Sequence, residues 1–128
     1  MKRRGANAIE FALTLPIFLL GVFAAVQSGL YFFWWAMASE AVRRGCGEGA
    51  EISELLADPE ATAEQAMDQW LSHGGLTCAQ VTCAAELTGS APDRQLSCMV
   101  SGSTLVEGPL SLGVWTFEVE HARRMVRQ

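Results

Sequence analysis

Twenty-five consecutive residues near the start of the chain, 11–35, contain no Asp, Glu, Lys or Arg. A helix rises about 1.5 Å per residue, so one of this length covers the roughly 30 Å hydrocarbon core of a bilayer with some tilt. Apolar side chains occur on every side of such a helix, which leaves no polar face for water. We therefore predict a transmembrane helix that spans the bilayer at about 11–35.

Charged and aromatic residues flank this run unequally. The basic residues 2–4 directly precede it. On the other side no basic residue occurs until the pair 43–44, eight residues beyond its end. Because positive charge close to a span stays in the cytoplasm, we expect a cytoplasmic N-terminus and an exported C-terminal part. Tyr31, Trp34 and Trp35 lie at the exported end, where amphipathic rings favour the headgroup layer, so membrane lipid is one expected partner.

One acid, Glu10, stands at the start of the run. A carboxylate at mid-bilayer costs at least about 2.5 kcal/mol on insertion scales, so an acid at this place usually has a partner. Gly5 lies five residues before Glu10. Cleavage after Gly5 would make Ala6 the new N-terminus and Glu10 the fifth residue. The alternative is that Glu10 only complements the dipole of the helix, which is worth under about 1 kcal/mol.

A basic stub, a glycine and a glutamate five residues later resemble a type IV prepilin. Three stretches are similar to the TadE-like minor pilins, or pseudopilins, of the tight-adherence (Flp) pilus: RRGANAIEFALTLP at 3–16, AVRRGCGEGA at 41–50 and ARRM at 122–125. The resemblance implies that a membrane-bound prepilin peptidase cuts between Gly5 and Ala6. It also implies that Glu10 pairs with the N-terminal ammonium of a neighbouring subunit. The further partners it implies are other minor pilins, the major pilin and the inner-membrane assembly platform.

Length and charge limit the remaining part of the chain. The sequence has 128 residues and a formal charge of −5, and loss of the stub would leave 6 basic against 14 acidic residues. Phosphate binding needs clustered Lys and Arg, so nucleic acid is not an expected partner. We predict a leader at 1–5, a long helix at 6–44 and one small exported domain at 45–128.

Hydrophobic periodicity predicts an α+β fold for the exported domain. Glycines at 45, 47 and 49 are expected to end the long helix near Arg44, and a short helix is expected at 52–57. Asp58-Pro59-Glu60 predicts the start of a second helix and Gly74-Gly75 its end. The apolar face of that helix repeats at three and four residues and consists of Ala63, Ala66, Met67, Trp70 and Leu71.

From residue 79 the apolar period changes to two, which is typical of strands. Three groups alternate in this way: Val81 to Leu87, Leu96 to Val100, and Trp115 to Val119. We expect a three-stranded antiparallel sheet with the second helix packed on its apolar face. The segment 101–113 is expected to be irregular.

Four cysteines in a small exported domain predict two disulfides. Cys83 and Cys98 lie symmetrically about the turn-like residues 89–93, so a hairpin centred there sets them opposite each other. Cys46 and Cys78 then pair by default. The alternatives are buried free thiols and, much less favoured, a zinc site built from Cys78, Cys83, His73 and His121.

No hydrolase, nucleotide-binding or metalloprotease motif is present in the sequence, so neither an enzyme nor a cofactor or metal is expected. The predicted function is a pilin-like subunit of the bacterial inner membrane, with its domain in the periplasm, or outside the cell in an adhesive pilus. Two alternatives remain. Signal peptidase cleavage after Ala38 would release a secreted binding domain, and an unprocessed anchor would hold a periplasmic scaffold. The mature N-terminus distinguishes the three: Ala6, Ser39 or Met1.

Overall fold

The described residues form two helices and one sheet. The computed structural model describes residues 3–52, 58–90, 93–105 and 114–125. Helix α1 covers Arg3–Glu51 and α2 covers Pro59–His73; the strands are β1 at Thr82–Thr88, β2 at Gln95–Leu105 and β3 at Val114–Arg124. The sheet is antiparallel with the order β1-β2-β3. The predicted α+β fold is confirmed.

Helix α1 is longer than predicted, because it does not end near Arg44. It continues through the glycines at 45, 47 and 49 to Glu51 and also passes Pro16 without interruption. Its second half is part of the domain core: Ala38, Ala41, Val42 and Cys46 are completely buried. The predicted helix at 52–57 falls mostly on residues outside the described ranges.

Gly45 and Gly49 in the second half of α1 are points of close approach and not helix breakers. A Cβ on Gly45 would lie 2.9 Å from the backbone oxygen of Ala63 on α2. A Cβ on Gly49 would lie 2.7 Å from the backbone oxygen of Pro59 and equally close to Leu96 on β2. Residues four apart share a helix face, so 45 and 49 together let α2 pack directly against the backbone of α1. Tertiary packing thus outweighs the low helix propensity of glycine.

Both helices lie on the same side of the sheet. Helix α1 contacts β2, β3 and α2, and α2 contacts β1. The core between the layers is lined on the sheet side by Leu96, Cys98 and Val100, which are fully buried, and by Phe117. The prediction that α2 packs on the sheet is correct, but it omitted the second half of α1.

The ends of α2 follow the sequence signals. Asp58 has an extended backbone, and its side chain accepts the N–H of Glu60 at 3.0 Å. Gly74 and Gly75 follow the last turn, and Gly75 has φ of 77°, the left-handed conformation that glycine adopts at low cost. Of the predicted apolar face, only Trp70 is half-buried; the other four residues are buried.

The register of the sheet differs from the predicted hairpin. Cys83 is opposite Val100, and Cys98 is opposite Ala85, so the pairing is shifted by two residues from the one that would join the two cysteines. Residues 101–105, predicted to be irregular, continue β2 and pair with β3. Gly102 leaves room there for the Phe117 ring, 3.1 Å from where its Cβ would be.

We expect Gly49→Ala to lower the thermal stability of the full chain in detergent micelles. The added methyl meets the backbone oxygen of Pro59, which cannot rotate away, and overpacking of this kind costs about 1–3 kcal/mol. At about 4–8 °C per kcal/mol for a small domain, circular dichroism should resolve the loss.

Gly29→Ala is the matched control, because a Cβ there would meet nothing within 4 Å. The control gains helix propensity without a clash. Equal melting temperatures for the two variants would show that the close approach at Gly49 is not needed.

Candidate functional site: the exposed helix and its junction with the domain

The first half of α1 exposes apolar side chains on all sides. From Ile9 to Val26, which we call the anchor segment, the large apolar side chains are 40% (Leu15) to 72% (Ile17) exposed. At about 1.5 Å per residue the segment is roughly 27 Å long, close to the thickness of a bilayer core. Among the described residues, α1 is the one helix long and apolar enough to cross a membrane, and an apolar surface of this kind is compatible with a membrane anchor.

Burial of α1 by the domain begins at Gln27, inside the predicted span of 11–35. Gln27 is buried, Tyr31 and Trp34 are half-buried, and Ala38 is fully buried. These positions recur at three and four residues, so they form one continuous face of the helix. Tyr31 packs against the core of the domain, whereas Trp35 is 46% exposed. The domain therefore contacts α1 directly after the anchor segment, with no linker between them.

Glu10 is exposed within the first turn of the anchor segment. In the described part of the chain, no hydrogen bond or ion pair reaches its carboxylate. The backbone of Gly5 and Ala6 is already helical, so the predicted cleavage point lies in the first turn of α1. The hydroxyls of Thr14 and Ser28 donate to carbonyl oxygens of the same helix, at 3.0 Å to Glu10 and 2.8 Å to Ala24.

A charged cluster lies on α1 outside the anchor segment. The Arg43 guanidinium donates to both carboxylate oxygens of Glu40 at 2.9–3.1 Å, and Arg44 donates to the same carboxylate. The hydrogen bonds from Arg44 and Arg43 hold the pKa of Glu40 below its usual value. Arg44 also lies 4.0 Å above the ring of Trp70 on α2. The cluster is exposed, so it adds little stability, but it orients α2 against α1.

All four cysteines form disulfides, but the predicted pairing is wrong. Cys46 on α1 is bonded to Cys98 on β2, with 5.7 Å between the Cα atoms. Cys78, in the turn after α2, is bonded to Cys83 on β1, with 5.5 Å between the Cα atoms. The first bond is fully buried and joins the long helix to the sheet. The second closes a short loop at the start of β1.

The error has two physical causes. The predicted end of α1 near Arg44 put Cys46 in a loop, whereas the continuing helix carries it on the buried face over the sheet, next to Cys98. The shifted hairpin register sets Cys98 opposite Ala85 and leaves Cys83 near the turn that contains Cys78.

The sequence analysis also missed a structural role for three acids of α2. Carboxylate oxygens of Glu60, Glu64 and Asp68 accept backbone N–H groups of Leu87, Ala85 and Cys78, at 2.7, 3.4 and 2.7 Å. The acids are spaced by four and so share one face of the helix. That spacing, beside an apolar face, is the signal that could have indicated contact with the edge of a strand.

In the described residues, one N-terminal helix has an exposed first half and a second half that is built into a small α+β domain. Residues 5–46 match the family of TadE-like proteins. The match starts at Gly5, covers the whole anchor segment and confirms the resemblance seen in the sequence. At the level of the family, it associates the chain with minor pilins of the Tad pilus. Searches of curated proteins and of solved structures gave no significant match.

We expect the two disulfides to contribute unequally to stability. The Cys46–Cys98 bond joins residues 52 apart, whereas Cys78–Cys83 joins residues 5 apart. In the chain-entropy model these loops correspond to about 4 and about 2 kcal/mol. Replacing the first pair by alanine should therefore lower the melting temperature more than replacing the second. An equal loss would contradict this assignment, as would a non-reducing peptide map that links Cys83 to Cys98.

Proposed function

We propose that the chain is a minor pilin that a prepilin peptidase processes and that primes, or enters the tip of, a Tad-type adhesive pilus. Before assembly it is held in the bacterial inner membrane with its N-terminus in the cytoplasm and its domain in the periplasm; after assembly the domain lies outside the cell. The observation that supports this most is the exposed anchor segment, which begins with Glu10 five residues after Gly5 in a region that matches the TadE-like family. The role is structural and not catalytic.

The apolar side chains of the anchor segment have apolar surroundings both before and after assembly. In the membrane, lipid tails surround its exposed apolar side chains. In the pilus, helices of neighbouring subunits take the place of the lipid, because van der Waals packing then supplies the contacts. The proposed partners are accordingly the prepilin peptidase, other minor pilins, the major pilin and the inner-membrane assembly platform.

Glu10 fixes the axial position of the neighbouring subunit when helices replace the lipid around the anchor segment. Its carboxylate has no partner among the described residues of its own chain. After cleavage the ammonium of Ala6 on an adjacent subunit supplies a positive charge, and the pair forms in a low-dielectric environment where each charge needs the other. A displaced neighbour would leave both charges unpaired, so the pair selects one axial position.

The geometry of the domain argues against the secreted alternative. Cleavage after Ala38 would remove the helix face that runs from Gln27 to Ala38, and Ala38 is itself a fully buried core residue. It would also cut a continuous helix in its middle. The unprocessed anchor retains all of these contacts, and the mature N-terminus separates it from the proposed pilin.

We expect the mature protein to begin at Ala6 when it is produced with the matching peptidase. Intact-mass measurement should show the loss of the first five residues, and Gly5→Ala should block it because the enzyme is expected to require glycine before the cut. A mature protein that begins at Met1 or Ser39 would exclude the pilin assignment.

We expect Glu10→Gln to leave membrane abundance and melting temperature unchanged but to reduce co-purification with other pilins. Insertion depends on apolar length and on the basic residues 2–4, which do not change. In the assembled state the Ala6 ammonium of a neighbour would face a neutral amide, and an unpaired buried charge costs about 3–5 kcal/mol.

Glu48→Gln is the matched control. It makes the same chemical change at an exposed position of the same helix, within the exported domain. Recovery of partner pilins should equal wild type for the control and fall for Glu10→Gln. Equal recovery for both variants would show that Glu10 only complements the helix dipole.

A further inference from the structure

The two edges of the sheet differ in whether their outward backbone groups are hydrogen-bonded. At the β1 edge, the outward N–H groups of Ala85 and Leu87 are bonded by the side chains of Glu64 and Glu60. A strand that approached this edge would have to displace both carboxylates. The β1 edge is therefore closed by α2.

The β3 edge is open, and the ladder shows which of its residues point outward. The N–H of Met125 donates to the carbonyl oxygen of Arg94 at 3.1 Å, so these residues form a hydrogen-bonded pair. The register between β2 and β3 has no bulge, so pairs of this kind recur at every second residue. The backbone groups of the even-numbered residues of β3, from Val114 to Arg124, therefore point away from β2.

Nothing covers this edge in the part of the chain that the structure describes. The side chains of five outward residues, Thr116, Glu118, Glu120, Ala122 and Arg124, are all exposed. No described residue donates to or accepts from their outward backbone groups. The edge thus offers a continuous row of donor and acceptor pairs, which is enough for a short added strand.

A second copy of the chain cannot pair antiparallel with this edge, nor through its own β1 edge. Antiparallel pairing of two β3 strands needs a twofold axis perpendicular to the sheet, and that axis would reverse the direction of α1, which packs on the face of the sheet. Two chains anchored in one membrane cannot point in opposite directions. Pairing of β3 with the β1 edge of a neighbour is blocked by Glu60 and Glu64.

We propose that the β3 edge binds an extended segment of a different pilus subunit by strand addition. On the outer face of β3, Glu118 and Glu120 are exposed beside the position of the added strand. Glu120 also accepts a hydrogen bond from the Ser97 hydroxyl of β2 at 2.9 Å, and Arg124 lies at the end of the same face. Opposite charges on neighbouring strands are favourable and like charges are not, so the bound segment carries Lys or Arg on that face. This inference rests on the proposed function, which supplies the membrane orientation and the partner class.

The experiment uses the full chain, co-expressed with the other minor pilins of its own assembly system. Glu118→Pro removes an outward N–H without removing a bond of the ladder, a change that edge strands tolerate. Glu118→Ala removes the same carboxylate but keeps the N–H. We expect the proline variant to recover at least about tenfold less partner than the alanine variant, with both disulfides intact.

A photo-crosslinking residue identifies the contact directly. Placed at Ala122, on the open edge, it should give a crosslink to an extended segment of another subunit. Placed at Ala61, on the exposed face of α2, it should give none to that segment.

If Glu118→Pro does not fold, the double variant Glu118→Lys and Glu120→Lys replaces it. The double variant keeps the backbone and reverses the charge, so it should lower recovery of the partner by the same factor.

The outcomes separate this inference from the proposed function. Wild type that recovers no other pilin overturns both. Wild type that recovers partners, together with a folded proline or lysine variant that recovers them equally well, overturns only the strand addition. A crosslink from Ala122 to a second copy of this chain also overturns it.

Discussion

The burial of the second half of α1 between α2 and the sheet is the contact on which the rest of the structure depends. Small residues on this half, Ala38, Ala41, Gly45 and Gly49, allow α2 to approach the helix backbone. On the adjacent face, Cys46 is bonded covalently to β2. Without α1 the apolar side of β2 would lose its cover, and a small domain has little other apolar surface with which to replace it.

This contact couples the anchor segment to the domain. One uninterrupted helix of 49 residues serves both, and no linker allows the domain to turn relative to the membrane. The axial position of the helix therefore also determines the position of the sheet. If Glu10 sets the register of α1 among its neighbours, it sets the height of the β3 edge above the membrane as well. A strand partner must then present its segment at that height, which makes the two proposed contacts mutually dependent.

Sequence reasoning succeeded where the signal is local. The cap at Asp58, the stop at Gly74 and the apolar face of α2 each follow from a few neighbouring residues, and the structure reproduces them. It failed where the local structure depends on contacts with residues that are distant in the sequence. The glycines at 45 and 49 read as breakers because local propensity cannot show that α2 lies against them. That error moved Cys46 off the helix and, together with the shifted hairpin register, led to the wrong disulfide pairing. The position of Glu10 after Gly5 was readable from the sequence because it depends only on spacing along the chain, whereas the closure of the β1 edge by α2 required the packed structure.

The open β3 edge needs some protection from pairing with other copies, because an exposed strand edge usually favours aggregation. On β1 side chains give this protection, because the carboxylates of Glu60 and Glu64 accept hydrogen bonds from the outward N–H groups. On β3 no described side chain does this. Membrane anchoring supplies a different protection: it restricts every copy to one orientation, and the antiparallel pairing of two identical edges requires the opposite orientation. Orientation thus prevents antiparallel self-pairing without covering the edge, and this leaves its backbone groups available to a different chain.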